Sequence, residues 1–392
     1  LGTNNGPLYI HPDILHTGYT QNWYAGIQYA LTQHTALDVS YIANRGRNLQ
    51  SAGLSSIQNY PSFSVYQPVL LAGNINSRIS NAAQAAAAGV PYPYPGFSGP
   101  AYAAIAPFPQ VAAFNDKITT YGNPFYGAVS GYDSLIVEFK ARSARGLYAD
   151  FSYDLSKETG NYSTTNGNWG GGTSSYGQNL ADWQDSKHWL QSTDQRNLLK
   201  GYMTYLLPFG QGRKWFSGIP WSLNEFVSGW ELGYYGAYGS GTPIGQVSSS
   251  YQLPFFFGKD RAFLAPGQTV YSLKNHFSRK LDLGNLNDPS NTDFNTNAFV
   301  ATTPQNPFGN TPYLWNHWRW DSQPAQENVS IVKHFGFGPE NRYKAVLAAQ
   351  FFNFFNRHYY NSPDIGMSDK TFGQVTSVSG NRVGQVSARF EW

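Results

Sequence analysis

Residues 134–158 read SLIVEFKARSARGLYADFSYDLSKE, and the alternation in this stretch decides the fold. On its first arm Leu135, Val137, Phe139 and Ala141 share one side, while Ser134, Glu138, Lys140 and Arg142 share the other. On its second arm Leu147, Ala149, Phe151, Tyr153 and Leu155 alternate with Asp150, Ser152, Asp154, Ser156 and Glu158. Pleating sends neighbouring side chains to opposite faces of a strand, so a hairpin turning at Ala144-Arg145-Gly146 has one greasy face and one charged face. A soluble sandwich would turn the polar face to bulk water, and a barrel would turn it to a lumen. Alternation by itself does not choose between them.

Connection lengths do. The same pattern predicts nine strands, over 20–31, 36–44, 132–142, 147–157, 197–207, 226–238, 328–335, 343–355 and 382–392. The links are short or modest at 32–35, 143–146, 208–225 and 336–342, and long at 45–131, 158–196, 239–327 and 356–381. Structureless loops beyond ~15 residues are rare in compact domains, yet here they occupy every second connection. Outer-membrane barrels have this asymmetry, with short periplasmic turns and long extracellular loops. The expected fold class is therefore all-β: a transmembrane antiparallel β-barrel, of which residues 1–392 supply a partial wall of about nine strands.

Orientation follows. The last strand descends from a long loop, which puts the carboxyl terminus in the periplasm and, counting back, Leu1 outside the cell. A complete barrel of this kind has both ends on the periplasmic side and an even strand number, so further strands are expected ahead of these. An open sheet in lipid would leave two unpaired edges, each orphan N–H or C=O costing several kcal/mol. The chain opens Leu1-Gly2-Thr3, without an initiator Met or an apolar signal region, so Leu1 is not expected to be the native start.

Composition agrees with a membrane barrel. Lys and Arg number 26 against 23 Asp and Glu, a balance that argues neither for nucleic acid nor for a polybasic membrane patch. Aromatics make up 17% of the chain and charged residues only 12%, about half the usual globular share. Mean hydropathy is nevertheless −0.43, and no run approaches the roughly 18 apolar residues that a membrane helix needs. Alternating strands resolve that tension, because they hide their lipophilicity from any sliding window. The absence of cysteine excludes thiolate metal sites, disulfides and Cys nucleophiles. No cofactor and no metal are expected.

Local signals refine the reading. In the last strand Trp392, Phe390, Ala388 and Val386 form an apolar face opposite Glu391, Arg389, Ser387 and Gln385. An alternating strand ending on an aromatic resembles the assembly signal of outer-membrane proteins, so Val386, Phe390 and Trp392 are expected to be read by the barrel-assembly machinery through strand pairing. Tyr19, Trp23, Tyr29, Tyr41, Tyr205, Trp230, Tyr234 and Tyr238 fall on apolar faces, where an interfacial belt in contact with outer-membrane lipid would sit. Alternation turns Glu138, Lys140, Arg142, Asp150, Lys200 and Arg389 toward the lumen.

The predicted extracellular loops are also rich in aromatics: YPYPGF at 92–97, Trp183, Trp189, and WNHWRW at 315–320, with Trp315, Trp318 and Trp320. Such rings could stack on a ligand, or they could pack loop on loop over the barrel mouth. Asp182, Asp185 and His188 form the one tight acid–base group, and a hydrolase working at the barrel rim is the reading it would carry. Nothing pairs these three with a nucleophile, and HExxH, P-loop, GxGxxG and GxSxG motifs are absent. No catalytic residue is assigned and an enzyme is not expected. Gly170-Gly171-Gly172 reads as a flexible loop, and the alanines 85–88 as a short helix inside the first long loop.

Four segments, in this order, carry a family resemblance. They are WYAGIQ (23–28) with SYIANRGRNL (40–49), YDSL (132–135) through Gly146-Leu147 to the strand end at 153–157, DQRN (194–197) with LPFGQGRK (207–214), and NVSIVKHF (328–335) with FFNFFNR (351–357), FGQV (372–375) and 382–392. From about Gln21 to Trp392 the chain resembles the C-terminal barrel part of Oar-like TonB-dependent outer-membrane receptors of acidobacterial type. The plug, its TonB-box segment and the N-terminal regulatory-like domain of that family have no counterpart in these residues. The resemblance implies active import: a barrel of about twenty-two strands plugged in its lumen, outer loops that capture a ligand, and a TonB complex that acts through the missing N-terminal region. The alternatives are a passive porin or a surface adhesin built on the same loop pattern.

Overall fold

A computed structural model describes residues 17–51, 61–110, 125–143, 146–161, 186–251, 261–270, 292–320, 326–338 and 342–392. Its main element is one nine-stranded sheet. We number the strands β1 (Tyr19–Thr32), β2 (Thr35–Ser51), β3 (Phe125–Arg142), β4 (Leu147–Gly160), β5 (Asn197–Leu206), β6 (Trp230–Gly239), β7 (Gln326–Phe337), β8 (Tyr343–Phe352) and β9 (Val383–Glu391). Each pairs antiparallel with its neighbour in sequence. The sheet is thus a meander, and among the described residues its edges β1 and β9 pair on one side only. No described helix is long and apolar enough to cross a membrane.

The turns explain why the register holds. Between β1 and β2 the Thr32 and Thr35 hydroxyls share a 2.8 Å hydrogen bond, and Thr32 Oγ1 also accepts from the His34 amide. Gly146 opens β4 at φ +86°, and a Cβ there would stand 2.9 Å from Leu206 Cβ. Only glycine meets both conditions cheaply. Because side chains alternate with period two, a slip of one residue would exchange the two faces along a whole strand.

Four predicted boundaries need correction. The strand read over 226–238 begins at Trp230, preceded by a helix at Trp221–Val227. Pro220 precedes the helix, and Gly229, at φ +71°, breaks the chain before the strand; a Cβ there would meet the His334 carbonyl oxygen at 2.5 Å. The strand read over 343–355 stops at Phe352, because Asn353 turns left-handed at φ 51° and its amide side chain bonds both ways with the Arg357 backbone. β2 and β3 run further into the first long loop than the predicted 36–44 and 132–142.

The long connections are folded where they are described. In the first, α1 (Phe63–Leu71), α2 (Ala82–Ala88) and α3 (Ala101–Ala104) surround Tyr66, Ile79 and Phe97, all buried. The alanine helix expected at 85–88 is α2. Asn81 caps it by accepting from the Gln84 amide at 2.9 Å, Gln84 returns a bond to the Ser80 amide, and Gly89 closes it left-handed. A second core collects Ile244, Val247, Phe294, Phe299, Trp318 and Val375 from the third and fourth long connections. The helix at Trp221–Val227, here α4, lies at the opposite, short-turn end, between β5 and β6.

Candidate functional site

Register shows which residues share a face of the sheet. Val39, Val137, Tyr153, Leu199 and Tyr238 lie opposite one another across β2 to β6. This face is apolar, and among the described residues most of it is uncovered: Leu135, Leu155, Leu199, Leu232, Ile331 and Leu347 are all exposed, and Ile27 and Val386 reach 75% and 83%. A water-soluble protein does not leave a row of this extent bare. Tyr19, Trp23, Tyr29, Tyr41, Tyr205, Trp230, Tyr234 and Tyr238 share the same face. So do Val386, Phe390 and Trp392 at the end of the chain, and the Phe390 and Trp392 rings stack there at 6.3 Å.

The opposite face is polar. Asp38, Glu138, Ser152 and Lys200 form one row across it, and Lys140, Asp150 and Tyr202 form the next. Arg142 stacks over the Tyr148 ring at 5.3 Å, and the Tyr148 and Tyr202 hydroxyls share a 2.9 Å bond. Lys140 pairs with Glu138 at 2.8 Å and Lys200 with Asp154 at 3.4 Å. Arg389 joins the face through its register with Val346 and His334, and it pairs with Glu391 at 2.9 Å. The structure thus brings Glu138, Lys140, Arg142, Asp150, Lys200 and Arg389 to one surface. An open hollow of about 410 Å³ lies at its short-turn end, beside His34, Lys140, Arg142 and Tyr148.

Over the long-loop end sits a cap. The Phe63 and Phe308 rings meet at 4.7 Å and Gln67 donates to the Gln305 carbonyl, so the first long connection touches the third. Trp189 packs on Tyr313 at 3.9 Å, and the Arg261 guanidinium covers Tyr313 at 4.1 Å. The strongest tie is buried. Arg319 Nη2 donates to Asp194 Oδ2 at 2.6 Å, with the two side chains 10% and 1% exposed. The remaining donors of Arg319 reach the carbonyls of Asp194, Gly241 and Asn316, while Asp194 Oδ1 accepts from the Glu158 amide at the top of β4. One ion pair therefore clamps the second and third long connections to each other and to the top of β4. A buried pair of this kind is held in place by its full set of hydrogen bonds.

A second buried acid stands on the apolar side of the same end. Glu327 is fully buried and receives the Arg357 guanidinium at 2.7–2.8 Å, which holds the arginine above its ordinary pKa. On the same face, at β2 and β3, Arg45 grips Asp133 with two bonds, and Tyr41 donates to Asp133 at 2.6 Å. Charges neutralised in this way suit the level where strands leave a hydrocarbon layer.

Of the loop aromatics, Trp318 is buried in the second cap core with Trp315 packed beside it at 5.4 Å, and Trp189 is engaged by Tyr313. Asp182, Trp183, Asp185 and the Gly170–Gly172 run lie outside the described residues, as does the side chain of Trp320. His188 closes a short turn at Ser186–His188, where burial and then the nearby Arg47 hold the Lys187 ammonium below its ordinary pKa. Among the described residues no three metal-ligating side chains gather. Sequence reading missed the Asp194–Arg319 clamp. Asp194 was visible only as the first letter of DQRN, and its partner lies far along the chain.

A family profile described as "Outer membrane beta barrel domain" matches residues 2–385. No curated protein sequence matches the chain. Among solved structures, the outer membrane transporter YddB from Escherichia coli aligns at 7% identity and a TM-score of 0.38, covering 98% of this chain and 34% of that one. The ferripyoverdine receptor of the Pseudomonas aeruginosa outer membrane aligns at 11% identity and a TM-score of 0.35, covering 95% and 27%. The FrpB iron transporter from Neisseria meningitidis aligns at 10% and 0.33, covering 95% and 31%. The chain thus spans about a third or less of the length of these proteins.

Proposed function

From the premise that this chain belongs to the outer membrane β-barrel domain family and resides in the outer membrane, we propose that it forms the C-terminal wall and loop cap of a TonB-dependent receptor of the Oar-like, acidobacterial type. The observation that carries this reading is the folded cap over a polar-lined wall, clamped by Asp194 and Arg319. A passive porin needs an open, wet mouth. A receptor needs a rigid surface that holds its shape before ligand arrives, since ordering loops on binding costs affinity.

In this reading Glu138, Lys140, Arg142, Asp150, Lys200 and Arg389 line the lumen, and the apolar face meets lipid. Further strands close the barrel at the two open edges, and a plug ahead of this chain couples to the TonB complex. Val386, Phe390 and Trp392 then serve the assembly machinery, which pairs with β9 as an edge strand. The ligand is met by the cap, and transport across the outer membrane is driven rather than passive.

The test uses the full-length product purified from outer membranes. We expect it to be captured by the periplasmic domain of TonB, and to show no steady current in a planar bilayer bathed in KCl. Steady single-channel steps without TonB capture would overturn the receptor reading in favour of a porin. Capture failing with no current would favour an adhesin.

A further inference from the structure

The connection between β5 and β6 offers a surface that the receptor reading leaves unused. Within it Trp215, Phe216, Trp221, Leu223 and Phe226 are 54%, 57%, 79%, 52% and 68% exposed, and α4 buries no residue at all. Five large apolar side chains on one short segment are a costly display in water.

The segment is nevertheless well held. Gln211 accepts no freedom at either end: its amide donates to Asn224 Oδ1 at 2.7 Å and its side chain to the Ile219 carbonyl at 3.0 Å. Phe209 packs edge-on against Phe216 at 5.5 Å. Two side chains from the apolar face of the sheet fix where α4 ends. Trp230 Nε1 donates to the Phe226 carbonyl at 3.0 Å, and the Lys333 ammonium donates to the Ser228 carbonyl. Both belong to that face, since Trp230 and Lys333 lie opposite each other in register beside Leu232 and Ile331. The connection therefore folds out over the apolar side, not into the polar one.

We propose that residues 208–229 are an interfacial anchor, seated on the glycerophospholipids of the periplasmic leaflet around the barrel. Three observations select lipid as the occupant. The exposed rings continue the bare apolar face that an outer-membrane protein presents to its bilayer. Short turns lie on the periplasmic side of such barrels, which sets this segment at the headgroup level of that leaflet. Cations flank the rings: Arg213 and Lys214 precede Trp215, with the Lys214 ammonium 5.7 Å from its ring. Aromatic rings with basic neighbours on a short helix are the composition of a helix lying in an interface and attracting anionic lipid. This inference rests on outer-membrane residence and not on TonB coupling.

The experiment places a nitrobenzoxadiazole label on the full-length protein through F226C, or through S217C as a neighbouring comparison. The labelled proteins are reconstituted into vesicles of phosphatidylethanolamine and phosphatidylglycerol, with or without dibrominated acyl chains. We expect blue-shifted emission at position 226, quenched roughly twofold by the brominated lipid, with little quenching at 217. Exchanging phosphatidylglycerol for phosphatidylcholine should weaken the quenching, and R213S with K214S should remove that lipid preference. Water-like emission at 226 would overturn the proposal. Blue-shifted emission without bromine quenching would overturn it too, because the occupant would then be protein: the rest of the barrel or a second copy.

Discussion

Val137→Arg is expected to destabilise the full-length protein in phospholipid vesicles by about 2–4 kcal/mol, whereas Ser152→Arg on the facing strand changes stability little. Val137 lies on β3 midway between Asp133 and the short-turn end at Ala141, between Val39 and Tyr153 in register, on the face whose leucines and isoleucines stand bare. A guanidinium there would have to leave water or thin the bilayer, and neither interface is close enough for it to snorkel to cheaply. Ser152 points to the other side, opposite Glu138 and Lys200 and beside Asp154. An arginine at that position gains carboxylate neighbours and stays hydrated. Urea titrations followed by tryptophan fluorescence measure the difference. Equal costs at the two positions would mean that both faces are wet or both are dry.

Arg319→Ala should be the most damaging single truncation in the cap, costing roughly 3–5 kcal/mol of local stability because it strands a buried carboxylate. Asp194 is 1% exposed, and beyond Arg319 its Oδ1 has the Glu158 amide while Oδ2 has only the guanidinium. Losing the arginine also frees the carbonyls of Gly241 and Asn316. The expected result is a cap that opens while the wall stays paired. Amide exchange should therefore accelerate over 186–196, 241–248 and 314–320, with β3 to β6 as protected as before. Asp194→Asn should cost less, because its amide oxygen still accepts from the guanidinium, whose uncompensated charge keeps its bonds to the backbone carbonyls of residue 194, Gly241 and Asn316. Uniform exchange across cap and wall would show that the pair does not act as a local clamp.

How much of this was legible follows from the physics of each signal. The hairpin at 134–158 could be read because period-two alternation depends only on neighbours along one chain, and the structure pairs its two arms as Leu135 with Leu155 and Lys140 with Asp150. All nine strands came through for the same reason. Phe226 was read as strand because an aromatic just before Trp230 and Leu232 continues the alternation. The helix there depends on Pro220 and on Gly229, whose left-handed turn is set by the approach of the His334 backbone from another strand. The outward Glu327 and Lys333 were invisible too. Each breaks the apolar face locally and is tolerated only through a distant partner, Arg357 for one and the end of α4 for the other. The cap was the least readable part. Its cores join segments from different long connections, as Phe63 joins Phe308 and Asp194 joins Arg319, and no local pattern encodes such pairs.

The most direct measurement of the two-faced wall uses nitroxide labels, which a chain without cysteine accepts one at a time. Cysteines replacing Leu135, Leu155 and Leu347 on one face, and Lys140, Ser152 and Lys200 on the other, are labelled in reconstituted full-length protein and probed with oxygen and with a water-soluble nickel chelate. The first set should collide with oxygen and be shielded from nickel, as labels dissolved in hydrocarbon are, while the second set collides preferentially with nickel. Nickel reaching Leu135, Leu155 and Leu347 as readily as Lys140, or neither reagent reaching them, would place that face in water or in a dry protein interior and contradict a lipid-facing wall.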